Sequence, residues 1–194
     1  MPRVAPAERR TLSQFEPLFA QIEASLGVLP NSTLTMGHRP EIMEAFARLN
    51  DAVMHQGTVA NRLKQLVVLA SSAAAGCTYC QAHTASVAET HGATPAEVQA
   101  VWEFETSPLF SASDRAALRV AFGAGQVPNQ VTDEDMAELA SHFATAEVVE
   151  IVAAIAVFGF LNRWNDTMST QLEQSPLAFA QERLAPVGWV RDLD

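Results

Sequence analysis

Apolar residues recur through most of this chain at spacings of three and four positions, the period of an amphipathic α-helix. An early series consists of Leu12, Phe15, Leu18, Phe19, Ile22 and Leu26, and a late one of Ile151, Val152, Ile155, Phe158 and Leu161. The sequence contains no run of alternating β-branched residues bounded by turn signals, which would be typical of a β-strand. The hydrophobic pattern therefore predicts an all-α fold of about eight helices.

Glycine, proline and capping residues divide this pattern into separate predicted helices. They cover residues 12–26, 40–56, 58–75, 77–91, 95–105, 113–122, 132–143 and 145–161. Residues 1–10 are expected to form a loose arm, residues 28–39 a linker and residues 176–194 a mixed tail. A chain of 194 residues suits one medium-sized domain with a substantial core, so a single domain over residues 1–194 is expected.

Two further patterns concern packing and internal symmetry. The small side chains of residues 71–75 (Ser, Ser and three Ala) should let a neighbouring helix approach closely.

Two sets of residues also share a spacing of twelve and then three positions. They are Gln65, Cys77 and Cys80, and Glu150, Asn162 and Asn165. This correspondence indicates an internal repeat of two helical hairpins, of which the second lacks sulfur.

Composition and charge narrow the classes of function. The chain is 48% hydrophobic, which is too apolar for a disordered protein. Its net charge of −10 argues against a nucleic-acid or anionic-membrane partner, because both are bound through Lys and Arg. The longest apolar stretch, residues 148–161, contains Glu150 and is shorter than the ~20 residues of a membrane span. With no apolar leader at the N-terminus, we expect a cytoplasmic protein with no membrane partner.

The chemistry of the chain is expected at its two cysteines, Cys77 and Cys80, which lie three residues apart. In a reducing compartment such a pair is more typical of redox chemistry or metal binding than of a structural disulfide. Gly76 marks the start of a new helix, and the positive end of a helix favours a thiolate over a thiol. Two sulfurs at this spacing can close a disulfide, so one cysteine can attack a substrate and the other can resolve the intermediate.

His83 follows Cys80 by three residues and should lie on the same helix face. An imidazole there can accept the thiol proton or protonate a leaving group. Two alternatives remain open at this point. The cysteines can be small buried hydrophobes, or Cys77, Cys80 and His83 can supply three ligands to zinc, although no second Cys/His pair is close in sequence.

Two other residues near this pattern have alternative roles. Tyr79, the only tyrosine, is expected to pack, with its hydroxyl as a further hydrogen-bond donor. Glu150 lies within an apolar helix, where a carboxylate needs a partner. It is expected to form either a structural ion pair or part of a proton relay.

The segment Gly76-Cys77-Thr78-Tyr79-Cys80-Gln81-Ala82-His83 after an Ala-rich helix resembles the carboxymuconolactone decarboxylase / alkylhydroperoxidase D-like superfamily. Leu29-Pro30-Asn31 and His38-Arg39-Pro40-Glu41 are similar to its peroxidase-related branch. So are residues 147–151 followed by Asn162-Arg163. The resemblance extends over residues 28–168, which we expect to form the family core.

The resemblance implies an all-helical enzyme that forms a homo-oligomer, whether dimer, trimer or hexamer. It also implies a thiol-dependent peroxidase or disulfide reductase with a small peroxide substrate, an unknown dithiol reductant, and neither cofactor nor metal. By the family pattern Cys80 inherits the attack on peroxide, Cys77 resolves the intermediate, and His83 transfers protons.

The chain departs from the family pattern at two positions. The family's best-studied pattern has glutamate twelve residues before the first cysteine, where this chain has Gln65, which cannot exchange protons. Glu150, at the equivalent place in the predicted repeat, is the candidate substitute in the proton relay. That pattern also often has histidine four residues after the second cysteine, where this chain has Thr84.

Two other functions compete with thiol-dependent reduction of alkyl hydroperoxides. One is a carboxymuconolactone decarboxylase-like reaction on small lactone acids, which would not need the dithiol. The other is a non-catalytic, redox-responsive oligomer.

Overall fold

A computed structural model describes residues 1–191, and within this range the secondary structure is helical, with no strand. The ten α-helices are α1 (Glu16–Leu26), α2 (Asn31–Met36), α3 (Pro40–Met54), α4 (Asn61–Ala74), α5 (Thr78–Thr90), α6 (Pro95–Ala100), α7 (Ala112–Gly125), α8 (Asp133–His142), α9 (Thr145–Met168) and α10 (Gln174–Arg183). Short 3-10 segments cover Arg9–Phe15, Val101–Glu103 and Ala185–Val187. The all-α prediction is confirmed.

The central helix of the bundle is α4, which packs against α5, α7 and α9. Leu66, Val67, Val68 and Leu69 are fully buried, so this helix is buried on all sides rather than on one face. The helix that carries the cysteines, α5, is therefore fixed against the most buried element of the protein.

The small-residue run at the end of α4 forms a close contact with α7. A Cβ atom placed on Gly125 of α7 would lie 2.5 Å from the carbonyl oxygen of Ser71 and 2.9 Å from the Cβ of Ala74. Close approach at residues 71–75, expected from the sequence, is confirmed. A side chain larger than hydrogen at Gly125 would force α7 away from α4.

Two helices are present where the sequence predicted none. The expected linker contains α2, and the expected tail contains α10. Both are short, and their polar first turns, such as Asn31-Ser32-Thr33, carry no apolar period. Residues 1–10, expected to form a loose arm, are bonded to the body of the protein: the Arg3 amide donates to the Met168 carbonyl (2.9 Å) and the Ala7 amide to the Leu34 carbonyl (3.2 Å).

The second half of the expected repeat has a different structure from the first. Gln65 and Cys80 lie on separate helices, α4 and α5, joined by a turn at Gly76. Glu150 and Asn165 lie on one continuous helix, α9. The shared spacing therefore does not produce a second hairpin at residues 150–165.

Among the described residues, α9 is the one helix whose length and apolar composition would suffice to cross a membrane. It packs against α3, α4, α5, α7 and α8, and Ile151 and Ala154 are buried in the core. Its opposite side is exposed along Val149, Val152 and Phe160. This helix is thus a core helix with one uncovered apolar side.

Candidate active site

The two cysteines occupy the first turn of α5. Gly76 has φ of 75°, a left-handed conformation that glycine adopts without strain, and it ends the turn that follows α4. Cys77 is the N-cap residue of α5, and Cys80 lies one turn into the helix. The predicted helix start is confirmed, and both sulfurs lie where unpaired backbone N–H groups and the helix dipole favour negative charge.

The two thiols are free and buried but are not equivalent. Cys77 is 0% exposed, whereas Cys80 is 2% exposed and borders a large cavity. The Cys77 thiol is hydrogen-bonded to Cys80. The side-chain amide of Asn165 on α9 also donates to the Cys80 sulfur, at 3.4 Å from Nδ2 to Sγ. Cys80 therefore receives hydrogen bonds and faces the cavity, and Cys77 lies behind it.

This arrangement raises the pKa of Cys77, the more deeply buried of the two thiols. The hydrogen bond to Cys80, together with burial and the charge that Cys80 acquires on ionisation, raises the pKa of the Cys77 thiol. The Cys77 thiol therefore keeps its proton at neutral pH. Burial also raises the pKa of Asp166, next to Cys77, although its hydrogen bond with Cys77 and the charge of Arg191 act in the opposite direction.

A carboxylate from the C-terminal part of the chain completes the site. Glu173, the N-cap residue of α10, lies 2.7 Å from Nε2 of His83 and accepts a hydrogen bond of 2.8 Å from the Tyr79 hydroxyl. It also accepts from the backbone amide of Asn31 at the start of α2. The rings of His83 and Tyr79 are in contact, with centroids 4.7 Å apart and planes tilted by 35°. Glu173 thus joins three helices at the side chains nearest the cysteines.

The charge of Glu173 is stabilised despite its burial. Burial alone would raise the pKa of Glu173, but hydrogen bonds from His83, Asn31 and Tyr79 and the charge of His83 outweigh it, and the net pKa is lowered. Burial and the neighbouring Glu173 charge raise the pKa of Tyr79. The hydroxyl of Tyr79 therefore keeps its proton and the carboxyl of Glu173 does not.

Sequence reasoning did not identify Glu173. It is separated from His83 by 90 positions and lies outside the spacing that drew attention to the cysteines. The only local signal is its place before a helix, at the start of Glu173-Gln174-Ser175-Pro176, where an acidic residue suits an N-terminus. The carboxylate missing at Gln65 is therefore supplied by a different element.

The cavity that Cys80 borders has a volume of about 1030 Å³. Its apolar wall comes largely from α1, α3 and α9 and includes Leu18, Ile22, Met43, Phe46, Phe158 and Leu161. Its polar side includes Tyr79, His83, Gln65 and Asn165. The lining also includes the charged side chains of Glu44, Arg48 and Asp51 on α3. Such a size and mixed lining suit a small organic molecule that makes apolar contacts and is oriented by polar groups.

The structure brings four of the five predicted site residues together. Cys80, His83 and Gln65 line the cavity, and Cys77 lies directly behind Cys80. Glu150 lies elsewhere. It forms an ion pair with Lys64, whose side chain is 1% exposed, and accepts a hydrogen bond of 3.0 Å from the Thr58 amide. Glu150 therefore has the structural ion-pair role and is not among the residues around Cys80.

A segment near the C-terminus covers the first turn of α5 from the side away from the cavity. We call residues 184–191 the C-terminal strap. The indole of Trp189 donates to the Thr78 carbonyl (3.2 Å), and Arg191 donates to the carbonyl of Thr170 (2.6 Å). The Arg191 guanidinium lies 5.8 Å from the centre of the Tyr79 ring. The strap thus holds the cysteine-bearing turn against the body of the protein.

Known proteins resemble both the sequence and the fold. Residues 40–122 match the model of the carboxymuconolactone decarboxylase family. The chain is also similar over its length to the ligand-free structure of the debrominase Bmp8, with 38% identity and a TM-score of 0.87, covering 92% of this chain and 96% of that one. This chain belongs to the carboxymuconolactone decarboxylase family. A Bmp8 variant with a cysteine replaced by alanine, in complex with 2,3,4-tribromopyrrole, is 37% identical with the same TM-score and coverage.

Two further proteins extend the comparison. The alkylhydroperoxidase AhpD core of an uncharacterised peroxidase-related protein from Ralstonia eutropha JMP134 has a TM-score of 0.80 and 24% identity, and covers 92% of this chain and 95% of that one. That likeness supports the fold. The uncharacterised protein YnjA of Escherichia coli (strain K12) is 34% identical over 93 residues, 47% of this chain, and the match spans only half of YnjA. Glu173 lies outside the residues that match the family model.

Proposed function

We propose that this protein is a dithiol-dependent reductase of small, largely apolar organic molecules. One observation carries the proposal: Cys80 lies at the wall of an apolar cavity of about 1030 Å³, with Cys77 hydrogen-bonded behind it and the His83–Glu173 pair beside it. A nucleophile, a resolving thiol and a proton-transfer group thus meet at one end of a substrate-sized space.

The cycle uses each group in turn. The Cys80 thiolate, supported by Asn165 and the start of α5, attacks the electrophilic atom of the substrate, and the bond between that atom and the rest of the molecule breaks, so that the rest departs as an anion. Cys77 then loses its proton and attacks the sulfur of Cys80, which closes a disulfide and expels the transferred atom as bromide or hydroxide. His83, held by Glu173, supplies the proton that the departing group requires. Each turnover transfers two electrons from the two thiols to the substrate.

A halogenated aromatic molecule is the leading substrate class. The overall change is Ar–Br plus two thiols to Ar–H, bromide, a proton and one disulfide, which balances without another reductant. Support comes from the likeness to the debrominase Bmp8 over 92% of this chain. The apolar wall of Leu18, Ile22 and Phe46 also suits a planar, weakly polar ring better than a small hydrophilic peroxide.

Organic hydroperoxides are the second candidate class. ROOH plus two thiols gives ROH, water and the same disulfide, so the protein groups would act in the same order. The family match and the peroxidase-related structural neighbours favour this reaction. The replacement of the family glutamate by Gln65 does not remove the carboxylate from the site, because Glu173 is present.

A single-turnover experiment distinguishes these reactions. Fully reduced protein would be mixed with bromopyrroles, bromophenols or cumene hydroperoxide, and bromide release, alcohol formation and thiol loss would be followed. We expect one bromide per disulfide, no reaction in Cys80→Ser, and at most one slow turnover without disulfide in Cys77→Ser. Faster thiol loss with cumene hydroperoxide and no bromide would favour the second class. Substrate turnover retained in the double serine variant would contradict any dithiol mechanism and favour a decarboxylase-like reaction.

We also propose that the protein forms a homo-oligomer through the exposed side of α9. Val149, Val152 and Phe160 are 63%, 41% and 43% exposed and form a strip with Ala156 along the helix. This apolar strip carries no charge, so two copies of a chain with net charge −10 can meet there without bringing carboxylates together. Phe160 also stacks on Phe46 at 5.2 Å, which links the strip to a wall of the cavity.

A further inference from the structure

In the proposed reaction the substrate oxidises Cys77 and Cys80 to a disulfide, which has to be reduced again before the next turnover. The following inference rests on that proposed function and concerns the partner that supplies the electrons. Thiol–disulfide exchange requires an incoming sulfur to approach one sulfur of the disulfide directly. The partner is therefore restricted by the paths along which a sulfur atom can reach Cys77 or Cys80.

Within residues 1–191, the cavity provides such a path. Cys77 is 0% exposed and does not border the cavity. Cys80 is 2% exposed, and its contact with open space is with the cavity. An incoming thiol must therefore enter the cavity and approach the sulfur of Cys80.

The outer side of the same turn is covered. The indole of Trp189 is bonded to the Thr78 carbonyl, between the two cysteines in sequence. Arg191 joins Thr170 to the face of Tyr79 and also reaches the Thr78 hydroxyl at 3.5 Å. A protein dithiol, whose reactive sulfur is carried on a folded surface, would have to displace this C-terminal strap before reaching the disulfide.

We propose that the Cys77–Cys80 disulfide is reduced by a low-molecular-weight thiol that enters the cavity, and not by a folded protein dithiol. The thiolate attacks the sulfur of Cys80, the Cys77–Cys80 bond breaks, and Cys77 leaves as a thiolate that takes up a proton. The resulting mixed disulfide on Cys80 is cleaved by a second thiol of the reductant. The products are the two protein thiols and the oxidised small disulfide, so atoms and electrons balance. Substrate and reductant use the same cavity in alternation.

The test measures reduction alone and needs no organic substrate. The protein would be oxidised with diamide, and the loss of two hydrogens would be verified by mass spectrometry. Second-order rate constants for reduction would then be measured with dithiothreitol and with a thioredoxin kept reduced by its reductase and NADPH, with alkylation used to stop the reaction. We expect the constant for dithiothreitol to exceed that for thioredoxin by about tenfold or more, because only the small dithiol fits the path to Cys80.

Matched variants locate the path. Ala47 lines the cavity, whereas Ala45, on the same helix, is exposed and does not. Ala47→Trp should slow reduction by dithiothreitol about tenfold, and Ala45→Trp should leave it unchanged. Arg191→Ala, which loosens the strap, should raise the rate with thioredoxin and leave the rate with dithiothreitol unchanged.

Two results would overturn the inference. One is reduction of the wild-type disulfide by thioredoxin as fast as by dithiothreitol, and the other is an equal effect of Ala47→Trp and Ala45→Trp. Failure of the proposed function gives a different result, since bromide release and hydroperoxide turnover would then be absent while the reduction rates remain measurable. Failure of diamide to form the disulfide would refute both.

Discussion

Removal of the Glu173 carboxylate tests the site directly, because this group connects α2, α5 and α10. The Glu173 side chain is only 10% exposed, and it accepts from the Tyr79 hydroxyl and the Asn31 amide while it pairs with His83. Hydrogen bonds to a charged group contribute about 1.5–3 kcal/mol each, and buried donors left without a partner carry a further penalty. Allowing for water that reaches His83 from the cavity, Glu173→Ala should lower the free energy of unfolding by about 3–5 kcal/mol.

Glu173→Gln separates charge from shape. The amide oxygen of glutamine can still accept from Tyr79 and Asn31, so the loss of stability should be smaller, about 1–2 kcal/mol. The carboxylate opposite His83 is nevertheless lost, and the rate of Cys80 oxidation by substrate should fall about tenfold or more. Glu182→Gln is the matched control, because Glu182 lies on the same helix with its side chain 69% exposed. That variant should match wild type in both measurements.

The dependence on pH follows from the lowered pKa of Glu173 in the folded protein. A carboxyl with a lowered folded pKa contributes stability that is fully present above its unfolded pKa, about 4.3, and is lost as pH falls through the folded value. Urea unfolding at pH 7 and at successively lower pH should therefore show that the difference between wild type and Glu173→Gln shrinks on acidification. A difference that is absent at pH 7, or that stays constant into acid, would show that the reasoning about this carboxylate is wrong.

Three further predictions concern packing, charge and assembly. Lys64→Ala leaves the Glu150 carboxylate without its cation and removes the donor to the Val53 carbonyl. The free energy of unfolding, measured with urea, should therefore fall by about 3–5 kcal/mol. The control Arg10→Ala removes an exposed ion pair and should show little change. Gly125→Ala places a Cβ atom 2.5 Å from the Ser71 carbonyl oxygen. Although alanine favours helices, the free energy of unfolding should fall by about 1–3 kcal/mol. An unchanged melting temperature would contradict the close contact between α4 and α7. Val152→Glu puts a charge on the apolar strip of α9 and should reduce the mass measured by light scattering to that of one chain. A wild-type protein that is already monomeric in this measurement would refute the proposed assembly.

The sequence predicted the all-α fold and the position of the two cysteines because these features depend on local signals. The three-and-four spacing of apolar residues specifies helices, and Gly76 before Cys77 specifies the helix start that places both sulfurs in the first turn. Thr94 and Glu97, three residues apart, form a capping box at the start of α6, which is a signal of the same local kind. Such signals depend on neighbours within a few positions, which the sequence displays directly.

The rest of the candidate site depends on contacts between distant parts of the chain. Glu173 meets His83 only because α10 folds back onto α5, and no spacing along the chain encodes that approach. The two candidate relay residues were separated in the same way: Gln65 faces the cavity, whereas Glu150 turns to Lys64 on the adjacent helix. The cavity itself is a volume left between helices, and apolar residues such as Phe46 and Leu161 would have been predicted equally well as core.

The two sides of the cavity have different origins, and this has a consequence for how the protein can change. The cysteines and His83 lie on α5 and are supported by Asn165 of α9 and Glu173 at the start of α10, whereas much of the apolar wall comes from α1 and α3, at residues such as Leu18, Ile22 and Met43. Substitutions in α1 and α3 can reshape the space without moving a sulfur atom or the carboxylate. Under the proposed function, substrate preference can therefore be redesigned by building libraries on these two helices while the redox step stays the same.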